Sequence, residues 1–132
     1  MQVRSTLTSR LNHHEVVVHT NENSQRIAIP QKPSGYGSAV NGGELLTLAI
    51  ATCFCNDLYR EAAKRNIKIH SIEMEASAAF HAEGEGGDSF TYTAKVKADA
   101  TPEEIDELVR HTDTVAEIHK TLRKGVAVRL IT

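Results

Sequence analysis

The chain has 132 residues, a formal net charge of −2, and acidic and basic residues interleaved along its length. No stripe of basic residues indicates binding to nucleic acid, and no acidic tail indicates a basic partner. No apolar window reaches the length of a membrane span, and the first residues lack a signal-peptide core, so no membrane association is predicted. The length predicts a single domain over residues 1–132, and two cysteines without an export signal favour a reducing, cytoplasmic setting.

The N-terminal third predicts three short strands, over residues 5–11, 15–20 and 25–30. The first two are joined by the turn NHH (12–14), whose histidines are expected to be solvated. A glycine- and proline-containing segment, 31–43, predicts the longest loop of the chain.

A long helix is predicted over residues 44–65. Asn41 followed by Glu44 fits a capping box, in which each residue bonds the other's backbone N–H. The first half of the helix, LLTLAIATCFC, is apolar on nearly every side and is expected to be buried all round. The second half, NDLYREAAKR, is amphipathic and is expected to emerge into solvent.

Residues 67–80 and 89–98 alternate between apolar and polar side chains around a glycine-rich turn, which predicts an antiparallel hairpin. The alternation slips phase near His70–Ser71, as a β-bulge would require.

Two further helices and a final strand complete the prediction. Thr101–Glu104 fits a capped helix start with proline at its first position. Thr114–Glu117 suggests a second capping box, which opens a short helix ending near Gly125. The segment VAVRLI (126–131) predicts a closing strand. The element order β-β-β-α-β-β-α-α-β defines an α+β fold.

Both cysteines fall on the long helix. Residues two apart on a helix point about 200° apart, so Cys53 and Cys55 can neither form a disulfide with each other nor jointly hold a metal ion, and no metal site is predicted. Cys55 shares a face with apolar residues and is expected in the core. Cys53 shares a face with Asp57, which would raise its pKa, and with Arg60, which would lower it if the arginine side chain folds back toward the thiol. It is either a reactive thiol or a structural one.

The segment NGGELLTLAIATCFCNDLYREAAKRNIKI (41–69) resembles the central region of the OsmC/Ohr family of peroxide-detoxifying thiol proteins. The resemblance implies an OsmC-like fold with antiparallel sheets around a long, central, buried helix in an intertwined homodimer. In that family a first cysteine attacks a hydroperoxide, a second cysteine resolves the product, and an arginine and a glutamate assist. Cys53 occupies the position of the attacking cysteine.

The sequence departs from the family pattern at three places. The resolving cysteine is expected near Ala116, and no cysteine is present there. The family glutamate aligns with Gly43, so Glu44 is either its displaced equivalent or an acid that stabilises the helix start. Arg10 is a loose candidate for the arginine and otherwise a surface residue. His119, one turn beyond Ala116, either approaches Cys53 or lies on a helix surface.

Two functions follow from the resemblance. The first is a one-cysteine hydroperoxide reductase of oxidative-stress defence, which needs an external thiol reductant and no cofactor. The alternative is a non-catalytic homodimer of the same fold that binds a small hydrophobic ligand.

Overall fold

The computed structural model describes all residues, 1–132, in eight helices and strands. It divides the chain into two compact units, Met1–Glu44 and Leu45–Thr132. The assignment of the whole chain to one domain stays a prediction.

The first unit contains an antiparallel sheet of three strands in sequential order: β1 (Val3–Arg10), β2 (His13–Thr20) and β3 (Asn23–Ile27). The predicted turn at residues 12–14 is wrong in its bounds. Asn12 has a positive φ of 56° and closes a shorter turn with Leu11, so β2 already begins at His13 and pairs it with Arg10. The two histidines are therefore half-buried strand residues rather than solvated turn residues.

Helix α1 (Gly42–Lys64) begins two residues before its predicted start. The backbone N–H of Asn41 donates to Oε2 of Glu44, and the backbone N–H of Glu44 donates to Oδ1 of Asn41, both at 2.8 Å. The predicted capping box is confirmed, and it supplies acceptors for backbone groups that have no partner within the helix. Although α1 has 23 residues, no helix of the protein combines the length and hydropathy that a membrane span requires.

The predicted burial of α1 is wrong for the single chain. Leu45 and Leu48, in the first half, are 39% and 58% exposed. The buried positions lie from the middle of the helix onward and follow a helical stripe: Ile50, Phe54, Asp57, Leu58, Glu61 and Ala62. The first half of α1 is exposed because the core of the second unit covers only the later part of the helix. The apolar composition of a helix does not by itself show which part of it will be covered.

Strands β4 (Ile69–Ala79) and β5 (Asp88–Ala98) form the predicted hairpin. The register shifts between Ile69 and Ser71, which confirms the predicted slip. The inward side chains of the hairpin pack against a core of buried residues from α1 and the later helices: Phe54, Leu58, Ala62, Leu108 and Ala116.

Helix α2 (Pro102–Val115) starts with the predicted capping box, in which the Thr101 N–H donates to Oε2 of Glu104 at 2.8 Å and the Glu104 N–H donates to the Thr101 hydroxyl at 3.2 Å. The second predicted capping box is wrong. Thr114 lies inside α2, and its hydroxyl donates to the carbonyl of His111 at 2.6 Å.

Ala116 separates α2 from α3 (Glu117–Lys124), and no side chain caps the start of α3. Gly125 ends α3 in the left-handed conformation with φ of 63°, as predicted. The prediction of a final strand is wrong for the single chain. Residues 126–132 pair with no other strand, and Val128 and Leu130 are 97% and 88% exposed. An apolar, alternating segment needs a sheet edge to become a strand, and no strand of this chain pairs with it.

Candidate functional site

The site is built around the two cysteines of α1, both of which are free thiols. The intact helix places them on different faces, as predicted. Both are half-buried, but Cys53 is the one that packs against the core of the second unit, whereas Cys55 lies outside that core. The expectation that Cys55 is the core residue is therefore wrong, because the core covers the helix face that carries Cys53.

Two groups act on the sulfur of Cys53. The thiol donates a hydrogen bond to Oδ2 of Asp57, one turn further along α1, at 3.3 Å. The backbone N–H of Ile118 favours the thiolate and so acts to lower the pKa of Cys53. Ile118 is the second residue of α3, where backbone N–H groups have no partner within the helix and the helix dipole favours negative charge. The thiol thus donates its hydrogen bond to a carboxylate, while the start of α3 favours its deprotonated form.

Arg60 links the carboxylates around this thiol. Its Nη1 lies 3.0 Å from Oδ1 of Asp57 and 2.9 Å from Oε1 of Glu117, and its Nε lies 3.0 Å from Oε2 of Glu61. Asp57 is only 6% exposed, so this pairing offsets the cost of burying its charge. Arg60 pairs with Asp57 and Glu117 and does not act on the thiol, so of the two opposing effects considered for Cys53 only that of Asp57 is found.

The pKa shifts follow from this arrangement. Burial raises the pKa of Cys53, the Ile118 N–H opposes that rise, and Asp57 adds to it. Burial also raises the pKa of Asp57. The pKa of Glu117 is lowered by its own backbone N–H and by Arg60. The resting state is therefore a protonated thiol hydrogen-bonded to a carboxylate.

One set of side chains has the composition of a metal site. Single ligand atoms of Cys53, Asp57 and Glu117 lie within 4.8 Å of one another. The two carboxylates, however, already share the guanidinium of Arg60, which supplies the positive charge that a cation would otherwise bring. The donor set does not fit a structural zinc site, which takes four ligands.

His119 takes neither of its two expected positions, since it is buried rather than on a helix surface and its ring nitrogens do not bond Cys53. It is 5% exposed, and its ring packs against Phe54 and Tyr92 at centroid distances of 5.4 and 4.6 Å. Burial, together with the charge of Arg123, lowers its pKa, so the imidazole is neutral at physiological pH. It follows Ile118 directly in α3, but neither nitrogen of its imidazole bonds the sulfur of Cys53.

The remaining predicted site residues belong to the first unit. The carboxylate of Glu44 bonds the backbone of Asn41, as a helix-start acid does. Arg10 ends β1 and is exposed. Their roles beside Cys53 stay predictions.

Two site residues, Glu117 and Ile118, were not predicted as such. Glu117 pairs with Arg60 across 57 residues of sequence, and Ile118 acts through its backbone, which carries no side-chain signature. The one sequence signal available was the start of a helix immediately after Ala116, at the position where the family pattern places a second thiol.

The sequence model of the OsmC-like protein family matches residues 35–131. A thiol on a long helix, set against a hairpin and two further helices, is thus the arrangement of a known class of protein. The chain belongs to the OsmC family. A comparison with curated protein sequences yields no match.

Solved structures share the fold across nearly the whole chain. An OsmC-like protein from Mycoplasma pneumoniae superimposes with a TM-score of 0.64 at 15% identity, over 91% of this chain and 87% of that one. The organic hydroperoxide resistance protein OhrB of Bacillus subtilis gives a TM-score of 0.57 at 22% identity, over 98% and 96% of the two chains. An organic hydroperoxide resistance protein from Legionella pneumophila gives 0.57 at 21% identity, over 98% and 95%. These superpositions show a shared α+β fold, as predicted.

Proposed function

We propose that the protein is a one-cysteine hydroperoxide reductase in which Cys53 is the nucleophile and Asp57 the proton acceptor. The observation that carries the proposal is the hydrogen bond from the Cys53 thiol to Asp57. The backbone N–H of Ile118, at the start of α3, supports it because it favours the thiolate. Family membership and the hydroperoxide-resistance proteins among the structural neighbours support the choice of substrate class.

The first step transfers one oxygen atom to sulfur. As the sulfur attacks the peroxide, the S–O bond forms, the O–O bond breaks, and Asp57 accepts the thiol proton. That proton then passes to the leaving alkoxide, so a thiol and a hydroperoxide become a sulfenic acid and an alcohol. The sulfur is oxidised by the two electrons that reduce the peroxide. The Ile118 N–H favours the thiolate that forms as the proton leaves the sulfur.

An external thiol completes the cycle. One thiol molecule condenses with the sulfenic acid, releasing water and leaving a mixed disulfide on Cys53. A second thiol molecule attacks this disulfide, which returns Cys53 to the thiol and releases the oxidised reductant. This route is needed because position 116 carries alanine and because Cys55 lies on a different face of the helix.

The reductase is a homodimer. Leu45 and Leu48 on α1, and the apolar segment 126–132, are exposed in the single chain to a degree unusual for such side chains. A second copy that covers them completes the buried helix and gives the last segment a strand to pair with. A homodimer of this fold then explains why these apolar residues are exposed in the single chain.

Sulfenic-acid trapping tests the nucleophile. Protein treated with one equivalent of organic hydroperoxide in the presence of dimedone is expected to gain one adduct at Cys53, located by peptide mass spectrometry. Cys55→Ser is the matched control and keeps the adduct, whereas Cys53→Ser loses it. An adduct on Cys55, or equal peroxide consumption by Cys53→Ser, rejects the proposed function.

A further inference from the structure

The charged side chains around Cys53 do not balance one another. Asp57 accepts the hydrogen bond of the thiol at 3.3 Å, and a carboxylate oxygen of Glu117 lies within 4.8 Å of the sulfur. Both carboxylates pair with the same nitrogen of Arg60, at 3.0 and 2.9 Å. Two carboxylates thus share one guanidinium, and the group beside the thiol carries one net negative charge.

The guanidinium of Arg60 is shared further. Its Nε lies 3.0 Å from Oε2 of Glu61, which is a third carboxylate. The charges that shift the pKa of Cys53 are those of Asp57 and Glu117, and both raise it. The arginine therefore does not cancel the negative charge at the sulfur.

Glu117 is the charged group of this site that a molecule from solvent meets. Its side chain is 65% exposed, whereas Asp57 is buried and Cys53 is half-buried. A molecule that touches the sulfur comes within a few ångströms of this exposed carboxylate. The carboxylate attracts an ammonium group, with which it can form a charge-assisted hydrogen bond, and it repels an anion.

We propose that Glu117 is a specificity-determining residue that selects, as the external reductant, a small thiol with an ammonium group and no net negative charge, as in an aminothiol. The ammonium group donates to the carboxylate of Glu117 while the sulfur of the reductant reaches Cys53. A thiol with a carboxylate or sulfonate close to its sulfur is disfavoured by repulsion. This inference rests on the proposed function, because it concerns the mixed disulfide through which Cys53 is reduced.

Three methanethiosulfonate reagents of similar size test this selectivity without hydroperoxide. They transfer an aminoethylthio, a hydroxyethylthio or a sulfonatoethylthio group. The Cys53 thiolate attacks the sulfur that carries this group, a new S–S bond forms, and methanesulfinate leaves. The aminoethyl reagent thus leaves the same mixed disulfide that an aminothiol reductant would form. Rates are followed by intact mass in Cys55→Ser, and each is divided by the rate of the same reagent with free 2-mercaptoethanol.

The normalised rates are expected to fall from the aminoethyl to the hydroxyethyl to the sulfonatoethyl reagent. The first and last should differ about tenfold, as unit charges of opposite sign about 5 Å from a surface carboxylate imply. This ratio should shrink as salt rises from about 0.05 M to about 0.5 M, because the carboxylate is exposed and is screened.

A substitution assigns the selectivity to one side chain. Glu117→Gln in the Cys55→Ser background should reduce the ratio to about twofold or less, since one carboxylate then pairs with one guanidinium. A changed pKa of Cys53 cannot cause this result, because the ratio compares reagents on the same thiol. Glu107→Gln removes a carboxylate on α2 that is 75% exposed, and it is the matched control that keeps the ratio.

Several results overturn the proposal. These are equal normalised rates for the three reagents, a preference for the sulfonate, or an unchanged ratio in Glu117→Gln. The same holds if no reagent modifies Cys53 in the folded protein although each modifies it in urea. Circular dichroism checks that the variants are folded, and if Cys55→Ser is not, tandem mass spectrometry of the wild-type protein gives the rates at Cys53.

The outcomes are separable from those of the proposed function. A thiol that reacts with all three reagents without charge preference can still be oxidised by hydroperoxide, so that result overturns only the selectivity. A thiol that shows the preference but fails to consume hydroperoxide overturns only the reductase.

Discussion

The thiol of Cys53 donates a hydrogen bond to Oδ2 of Asp57, one turn further along α1, at 3.3 Å. This contact has two opposing effects. The carboxylate raises the pKa of the thiol and so reduces the amount of thiolate at rest, but it also provides a base at the atom that must lose its proton. The proposed chemistry depends on the second effect being larger.

Asp57→Asn separates these two effects. The pKa of Cys53 is expected to fall, because the amide neither holds the proton as a carboxylate does nor repels the thiolate. The rate of single-turnover oxidation by hydroperoxide at neutral pH is nevertheless expected to drop about 100-fold, since the general base is lost. Thiolate absorbance against pH gives the pKa, and stopped-flow kinetics give the rate.

Asp106→Asn is the control for this experiment, because Asp106 is an exposed carboxylate on α2 that pairs with Arg110. It should change neither quantity. If Asp57→Asn lowers the pKa and speeds oxidation in proportion to the added thiolate, Asp57 only restrains the thiol and is not its base.

Restoring a second thiol at the boundary between α2 and α3 tests the placement of the missing partner. Ala116→Cys is expected to form a disulfide with Cys53 after one equivalent of hydroperoxide, because Ala116 belongs to the buried core against which Cys53 packs. Intact mass would record the loss of both thiol hydrogens in nearly all molecules. Ala116→Ser is the control and should still be trapped as the sulfenic acid. Undiminished trapping in Ala116→Cys would mean that position 116 is out of reach.

Glu61 predicts a specific dependence of stability on pH. Contacts with Lys64, His111 and Arg60 lower its pKa to about 2. A carboxylate whose folded pKa is depressed stabilises the protein above its unfolded pKa, and the contribution is lost as pH falls through the folded value. Glu61→Gln should therefore reduce the free energy of unfolding at neutral pH and flatten its loss on acidification from about pH 5 toward pH 2.

Urea denaturation at a series of pH values measures this dependence. Glu73→Gln, on β4, is the control for removing one carboxylate. Asp57 contributes to the pH dependence of the free energy of unfolding with the opposite sign. Because its pKa is raised in the folded state, it binds a proton more readily there, and its protonation stabilises the fold as pH falls through that pKa. If the free energy of unfolding falls equally steeply on acidification in the wild type and in Glu61→Gln, the lowered pKa does not belong to Glu61.

The exposed leucines of α1 predict the oligomeric state. Leu48→Glu places a charge on a side chain that is 58% exposed in the single chain, so it should cost the isolated fold little. In the proposed dimer the same charge is buried without a partner, and self-association should weaken by roughly 100-fold or more. Sedimentation equilibrium measures this constant. Ala63→Glu, at an exposed position near the other end of α1, should leave it unchanged, and a monomeric wild type would contradict the dimer.

Local chemistry was predictable from the sequence. The capping boxes at Asn41–Glu44 and Thr101–Glu104, and the register slip near His70, were all found, because each depends on residues within a few positions of one another. The family motif also placed Cys53 correctly on the long helix.

Properties that depend on distant contacts were not predictable in the same way. Arg60 reaches Glu117 across 57 residues, and His119 is buried by Phe54 and Tyr92 from other elements. Threonine is typical of helix caps, but the hydroxyl of Thr114 donates to the carbonyl of His111 within α2. An apolar sequence predicts burial in the first half of α1 and in residues 126–132. It does not indicate whether the surface that covers them belongs to the same chain.

Catalytic turnover tests the central claim most directly. Hydroperoxide consumption should be followed with excess low-molecular-weight thiol for the wild type, Cys55→Ser and Cys53→Ser. The proposed mechanism predicts many turnovers by the first two proteins and a rate for Cys53→Ser no greater than that of the thiol alone. Equal rates for Cys53→Ser and the wild type would contradict it.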